Sequence, residues 1–210
     1  LLFLSGAVSQ SLGLLIYKLS GSKNFAIGAL AFIFLPGTVL HEFAHAAVAQ
    51  GTGVAVGEME FIPEIQGNHV KLGSVQVGRT DPFRNFLIGV APLIVGFALI
   101  FVLIAVYGKL NLSGIYPNII LFYILFEIGN TMFSSKRDME GALELILALV
   151  LVFGFLYLIG VNGVFNFIVS NLGNVDPFFR IASDYLIKII GIDLVVVILA
   201  RLLTGFRLTR

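Results

Sequence analysis

The stretch "FAIGALAFIFLPGTVLHEFAHAAVAQ", residues 25–50, is apolar for most of its length and carries two histidines and a glutamate in its second half. It is longer than the roughly 20 residues that a helix needs to cross a hydrocarbon core about 30 Å thick. We therefore predict a membrane-spanning helix, with a bend or local opening at Pro36 and Gly37. Ionisable side chains inside such a helix are costly and mark functional sites. His41, Glu42 and His45 are therefore the first candidate site.

The composition of the whole chain also indicates a membrane protein. Of its 210 residues, 58% are hydrophobic and 12% are charged, and the mean hydropathy is +1.01, outside the usual balance of a soluble domain. The net charge is +1 and no basic cluster is present, which argues against nucleic acid as a partner. The chain has no cysteine, so a metal would have to be held by histidines and carboxylates.

The apolar segments predict an all-α polytopic membrane protein with about six transmembrane helices in a single membrane-embedded domain, residues 1–210. Residues 57–81 differ from these apolar segments, because they contain Gly, Pro and Asn and because polar and apolar residues alternate from Val70 to Val77. This pattern predicts a small membrane-associated β-hairpin. A second polar interval, 161–180, predicts a loop with a stretch that lies at the membrane interface. The six predicted spans are 1–17, 25–50, 84–107, 115–134, 141–161 and 181–203.

The distribution of basic residues predicts how the chain is oriented. Loops on one side of the six-span arrangement, together with the C-terminus, carry the larger group of basic residues: Lys71, Arg79, Arg84, Lys136, Arg137, Arg201, Arg207 and Arg210. The opposite side carries Lys18, Lys23, Lys109 and Arg180. We expect the first side, and with it the candidate site, to be cytoplasmic.

The His-Glu-His pattern is the HExxH arrangement of zinc peptidases. On a helix, His41 and His45 share one face and can offer imidazole nitrogens to one cation, with Glu42 about 100° around the axis. Glu42 would then act as a general base toward water. The alternative is that the three residues are buried polar groups satisfied by neighbouring helices. The pattern favours one zinc ion per chain, although other divalent ions suit such a site.

Two histidines do not complete a zinc site, so a third ligand is needed. Gly51 stands where a metzincin would have its third histidine, which removes that option. An acidic residue that precedes a helix is also a favoured helix cap, so Asp138 has a structural alternative. The candidates that remain open are Glu58, Glu60, Glu64, His69 and Asp138.

The two motifs together resemble the site-2 protease family of intramembrane zinc metalloproteases. That family pairs HExxH with a later Asn-x-x-Pro-x-x-x-x-Asp-Gly motif, and Asn130 and Asp138 stand at the same spacing in this chain. Phe133 occupies the proline position and Met139 the glycine position. The segment "GVAPLIVG", 89–96, is similar to a small-residue segment of the family's intervening helix. The resemblance covers about residues 25–150, leaving 1–17 and 181–203 as flanking helices with no PDZ or CBS domain.

The resemblance implies a set of roles for the site residues. His41, His45 and Asp138 would hold zinc, Glu42 would be catalytic, and Asn130 would bind the substrate backbone or help hold the tetrahedral intermediate. Independently of the resemblance, a strand over 72–77 would offer its free edge to an unwound substrate, with Gly73, Ser74 and Val75 as the substrate-binding residues. The alternative is that the hairpin only packs over the site.

The predicted function is an intramembrane zinc endopeptidase that cleaves transmembrane segments of membrane proteins near the cytoplasmic face of a lipid bilayer. Two alternatives stay open at this point. One is a pseudoprotease that holds membrane clients without cutting them, and the intact Glu42 argues against it. The other is a transporter or proton-relay protein, in which intramembrane acids and histidines also occur.

Overall fold

The computed structural model describes residues 2–61, 64–66, 69–71, 73–110, 114–132, 147, 149–160 and 163–205. The described chain is mostly helical and carries a small antiparallel β element. The helices are α1 (Leu2–Ser20), α2 (Lys23–Gly51), α3 (Pro82–Lys109), α4 (Ile115–Thr131), α5 (Leu149–Leu158) and α6 (Gly163–Thr204). The strands are β1 (Val56–Glu60), β2 (Glu64–Gln66), β3 (His69–Lys71) and β4 (Ser74–Val77).

Two helices of the described chain are long and apolar enough to cross a membrane. They are α2, with a mean hydropathy of 1.6, and α3, with 2.9. The described residues therefore contain two candidate spans rather than about six. Parts of the predicted spans 115–134 and 141–161 lie outside the described residues. Helix α1 carries three serines and a glutamine between residues 5 and 11, and the predicted span 181–203 contains Lys188, Asp193 and Arg201. These polar residues lower the apolar character of helices that were predicted from length.

The predicted β-hairpin is present, and it contains an additional inner pair of strands. β1 pairs with β4 in antiparallel register, with Met59 opposite Val75 and Glu60 opposite Ser74. In the sequence, β2 and β3 lie between β1 and β4, and they pair with each other in antiparallel register. The β element extends over residues 56–77, so it begins one residue before the predicted interval 57–81 and ends four residues before the end of that interval.

The predicted loop over 161–180 was also wrong, because α6 runs without interruption from Gly163 to Thr204. The prediction rests on the polarity of the interval. Polar residues such as Asn and Ser cost a helix less than about 1 kcal/mol each relative to Ala, so polarity is too weak a signal to end a long helix. The helix also continues through Pro177.

The ends of α2 follow from its capping residues. The hydroxyl of Ser22 accepts a hydrogen bond from the backbone N–H of Phe25, as an N-cap residue does. At the other end the Thr52 hydroxyl donates to the carbonyl of Val48 at 2.8 Å, and Gly53 adopts a left-handed φ of 76°. The chain therefore leaves α2 just after the His-Glu-His segment and turns into β1.

Helix α3 begins where the β element ends. Its first residue is Pro82, and the carboxylate of Asp81 accepts hydrogen bonds from the backbone N–H groups of Phe83 and Arg84, both at 3.1 Å. The pKa of the Asp81 carboxyl lies below its ordinary value, chiefly because the Arg84 backbone N–H stabilises the charged form. This N-cap fixes the start of the helix that supports the candidate site from the other side.

Three apolar clusters hold the helices together. The first joins α1, α2, α4 and α6 through Val8, Leu30, Phe34, Phe126 and Val197. The second joins α3, α4 and α6 through Ile100, Leu125, Ile128, Met132 and Ile189. The third, made of Ala49, Val54 and Ile88, closes the end of α2 against the start of α3, and this is the cluster that lies next to the histidines.

Candidate metal centre

Helix α2 brings the ring nitrogens of the two histidines together. The Nε2 atoms of His41 and His45 are 3.1 Å apart, and both residues are buried. The residues are four apart in an unbroken stretch of helix, so their side chains project from one face. The predicted pairing of the two imidazoles is therefore present in the fold.

A carbonyl on α3 fixes the orientation of the His45 ring. The Nδ1 atom of His45 lies 2.7 Å from the backbone oxygen of Ile88. A carbonyl oxygen only accepts, so Nδ1 carries the proton and Nε2 keeps its lone pair. Metal-ligating histidines commonly have this outer hydrogen bond, which sets the tautomer and aims the ligating nitrogen.

The spacing of the two nitrogens fits a single small cation. Two nitrogens bonded to one tetrahedral zinc at about 2.0–2.1 Å lie about 3.3 Å from each other. The observed separation of 3.1 Å is close to that value. The pair also lies in a buried setting, where two imidazoles facing each other through Nε2 are well placed to share a cation.

The third ligand predicted from the family resemblance, Asp138, lies outside the described residues. Among the described residues no group of three His, Asp or Glu side chains is placed to hold a metal. Glu58 and Glu60 are exposed on β1, while Glu64 and His69 belong to the inner strands β2 and β3. Asp138 therefore stays a prediction.

Glu42 is buried, and the β element lies directly against its helix. A Cβ atom placed on Gly73 would be 3.4 Å from Cγ of Glu42 and 2.7 Å from Cγ2 of Thr38. Gly73 immediately precedes β4. The strand segment predicted to bind substrate, Gly73 to Val75, therefore begins beside the predicted catalytic carboxylate.

Helix α4 supports α2 at the turn that contains Pro36. The backbone N–H of Gly37 donates to Oε2 of Glu127 at 3.0 Å. The hydroxyl of Tyr123, one turn earlier on α4, donates to the carbonyl of Ile33 at 3.0 Å. Proline disturbs the hydrogen bonding of the turn before it, and side chains of a neighbouring helix can satisfy the freed groups in an apolar setting. Glu127 and Tyr123 fill that role here.

Asn130 faces helix α6. Its Nδ2 atom donates to Oδ1 of Asp193 at 2.8 Å and to the backbone oxygen of Phe126 at 2.9 Å. Asn130 is 5% exposed and Asp193 is completely buried. The predicted substrate-binding asparagine is therefore held by an acidic residue on the flanking helix.

Two partners of the candidate site were missed by sequence reasoning. The Ile88 carbonyl carries no sequence signal, because any residue offers the same backbone oxygen. Asp193 did carry one, since an acidic residue within a predicted span marks a functional position. It was missed because α6 was treated as a flanking helix outside the resemblance.

Comparisons of the chain with protein-family models, curated proteins and solved structures found no match.

Proposed function

We propose that this protein is an intramembrane zinc endopeptidase that hydrolyses peptide bonds within transmembrane segments of other membrane proteins. The observation that carries the proposal is the 3.1 Å approach of the two Nε2 atoms on α2, with one ring oriented by a backbone carbonyl of α3. Both helices are among those able to span a membrane. The hydrolytic site would therefore lie at membrane depth, and by the distribution of basic residues near the cytoplasmic face.

His41 and His45 would hold the zinc ion, and Asp138 is proposed as its third protein ligand. A zinc ion there would supply a Lewis acid that makes water nucleophilic at neutral pH and polarises the scissile carbonyl. The Ile88 carbonyl keeps the His45 ring in the tautomer with a lone pair on Nε2.

Glu42 would carry the proton during hydrolysis. As the water oxygen bonds to the carbonyl carbon, Glu42 takes a proton from that water. When the carbon–nitrogen bond breaks, Glu42 passes the proton to the leaving amine. The carboxylate is buried beside the zinc-binding histidines, which suits this transfer within a water-restricted site.

A transmembrane substrate must also expose its backbone, because the amides of a helix are occupied by its own hydrogen bonds. Among the described strands, β4 pairs only with β1, which leaves its other edge for an unwound peptide. The approach of Gly73 to Glu42 supports this route, because a peptide added at Gly73, Ser74 and Val75 would pass close to the carboxylate.

The first test of this proposal is the zinc content of the detergent-purified protein. We expect about one zinc per chain in the parent protein and a marked loss in His45→Ala and Asp138→Ala. The matched control is His69→Ala, which changes the third histidine of the chain and should retain zinc. Zinc retained in His45→Ala, or absent from the parent protein, would reject the proposed site.

The second test separates binding of metal from catalysis. Glu42→Gln keeps the size of the side chain but removes the base, so it should retain zinc and lose cleavage of a transmembrane peptide by about a hundredfold or more. Cleavage at the parent rate by Glu42→Gln would exclude this carboxylate as the general base.

A further inference from the structure

The contact between Asn130 and Asp193 fixes which way the asparagine amide points. Both groups that approach Nδ2, the Asp193 carboxylate and the Phe126 carbonyl, are hydrogen-bond acceptors. Reversing the amide would place its oxygen against these two oxygens, so the amide has one satisfactory orientation. The two hydrogens of Nδ2 are then used within the protein.

The consequence is that Asn130 presents an acceptor and no donor. Its Oδ1 atom is buried, as is Oδ2 of Asp193, and neither has a hydrogen-bond partner among the described residues. Buried polar atoms are nearly always paired, so two adjacent unpaired acceptors indicate a place where a donor binds. An oxyanion requires donors, whereas the N–H of an unwound peptide requires an acceptor.

We propose that Asp193 is a positioning residue that holds the Asn130 amide so that its Oδ1 atom accepts a backbone N–H of the unwound substrate. This inference rests on the proposed function and assigns Asn130 to substrate binding rather than to stabilisation of the tetrahedral intermediate. It also brings α6, which lies outside the region of family resemblance, into the active site.

The packing of α4 on α6 supports this role. A Cβ atom on Gly129, next to Asn130, would clash with Cγ2 of Ile189, so the two backbones approach closely there. Ile189 is one turn before Asp193 and is fully buried. The helices are thus held in the register that places the Asp193 carboxylate on the Asn130 amide.

The test is a double-mutant cycle on peptide binding. The probe is a fluorescently labelled Leu/Ala transmembrane peptide of about 20 residues with a central Gly-Pro pair that favours unwinding. Its Kd is measured by fluorescence anisotropy in detergent, in the Glu42→Gln background so that no cleavage occurs. The variants are Asn130→Leu, Asp193→Val and the double substitution, and Asp184→Val on the same helix is the exposed control.

We expect each single substitution to raise Kd about tenfold, the effect of losing one hydrogen bond. The double variant should bind no more weakly than Asn130→Leu, because Asp193 acts through Asn130. Asp193→Asn should stay within about twofold of the parent, since its Oδ1 still accepts from Asn130. Asp184→Val should leave Kd unchanged.

Multiplicative losses in the double variant would overturn the proposal, because they would give Asp193 a separate structural role. If Asp193→Val loses its fold, the cycle is repeated with Asn130→Ala and Asp193→Ala. Losses that multiply in that double variant would equally overturn the proposal.

The same measurements distinguish this inference from the proposed function. If the parent protein binds zinc and cleaves peptide, but the losses of affinity multiply in the double variant, only the proposed role of Asp193 is rejected. If the two substitutions are coupled in the cycle, but the parent protein neither binds zinc nor cleaves peptide, the peptidase proposal is rejected and a peptide-binding site remains. No measurable binding of the probe to the parent would overturn the role of the pair.

Discussion

At the scale of single residues, Gly37 decides how closely α2 and α4 approach. A Cβ atom at this position would clash with the Thr131 hydroxyl and lie 3.0 Å from Oε2 of Glu127. Glu127 is also the acceptor for the Gly37 backbone N–H. The absence of a side chain therefore permits both the packing and the hydrogen bond that support the turn before His41.

We expect Gly37→Ala to lower the free energy of unfolding by about 1–3 kcal/mol, the usual effect of overpacking a tight contact. Gly28→Ala is the matched control, because it lies in the same helix with open space around the added atom. Thermal unfolding in detergent measures both. Equal stability of the two variants would contradict the close approach of the helices at Gly37.

The residues of the candidate site differ in how far sequence predicts them. The positions of His41, Glu42 and His45 follow from helical periodicity, which is a local property. The partners of the candidate-site residues are long-range contacts. Ile88, the partner of His45, follows it by 43 residues, and Asp193, the partner of Asn130, follows it by 63. No local pattern encodes which carbonyl or carboxylate the fold brings to a given side chain.

At the scale of elements, the β element is held against α2 through Gly73. A Cβ atom at Gly73 would be 2.7 Å from the Thr38 side chain and 3.2 Å from the carbonyl of Glu60. Gly78, at the other end of β4, has only ordinary contacts, the nearest at 3.4 Å. The two glycines thus provide a matched pair at which the same substitution has different consequences.

Gly73→Ala should displace the β element from α2 and lower kcat/KM for peptide cleavage by about tenfold to a hundredfold, because small displacements at a reacting site are costly. Zinc content should be unchanged, since both histidines lie on α2. Gly78→Ala should keep nearly full activity. Parent-like cleavage by Gly73→Ala would argue against a role of this strand in presenting the substrate.

Sequence predicted elements best where one physical preference dominated. The spans assigned to α2 and α3 are long apolar runs, and the structure has helices there. In the β element, Gly, Pro and Asn and the alternation from Val70 to Val77 predict a hairpin within 57–81, and the structure has an antiparallel β element over residues 56–77. Over 161–180 the polarity of the interval favours a loop, but polarity is a weak preference, and the structure has a continuous helix from Gly163.

At the scale of the whole molecule, the length of an apolar segment predicted more spans than the fold supports. A segment of spanning length can also carry several charged residues, which lower its mean hydropathy. Helix α6 illustrates this, because the predicted span 181–203 contains Lys188, Asp193 and Arg201, although Asp193 is completely buried against α4 while Val195 and Ile198 are exposed. Hydropathy averages over both faces of such a helix, whereas the structure separates them.

Helices α2 and α3 should cross the membrane in opposite directions, joined by the β element. By length, α2 extends about 44 Å, more than a bilayer core of about 30 Å. Because the chain has no cysteine, single cysteines introduced at exposed Lys23, Arg79 and Lys109 report on each end separately. In sealed membrane vesicles of known orientation, a membrane-impermeant maleimide should label Arg79→Cys from the cytoplasmic side. It should label Lys23→Cys and Lys109→Cys from the opposite side. Labelling of all three from one side would mean that neither helix spans, and the proposed zinc site on α2 would then act on substrates at the membrane surface.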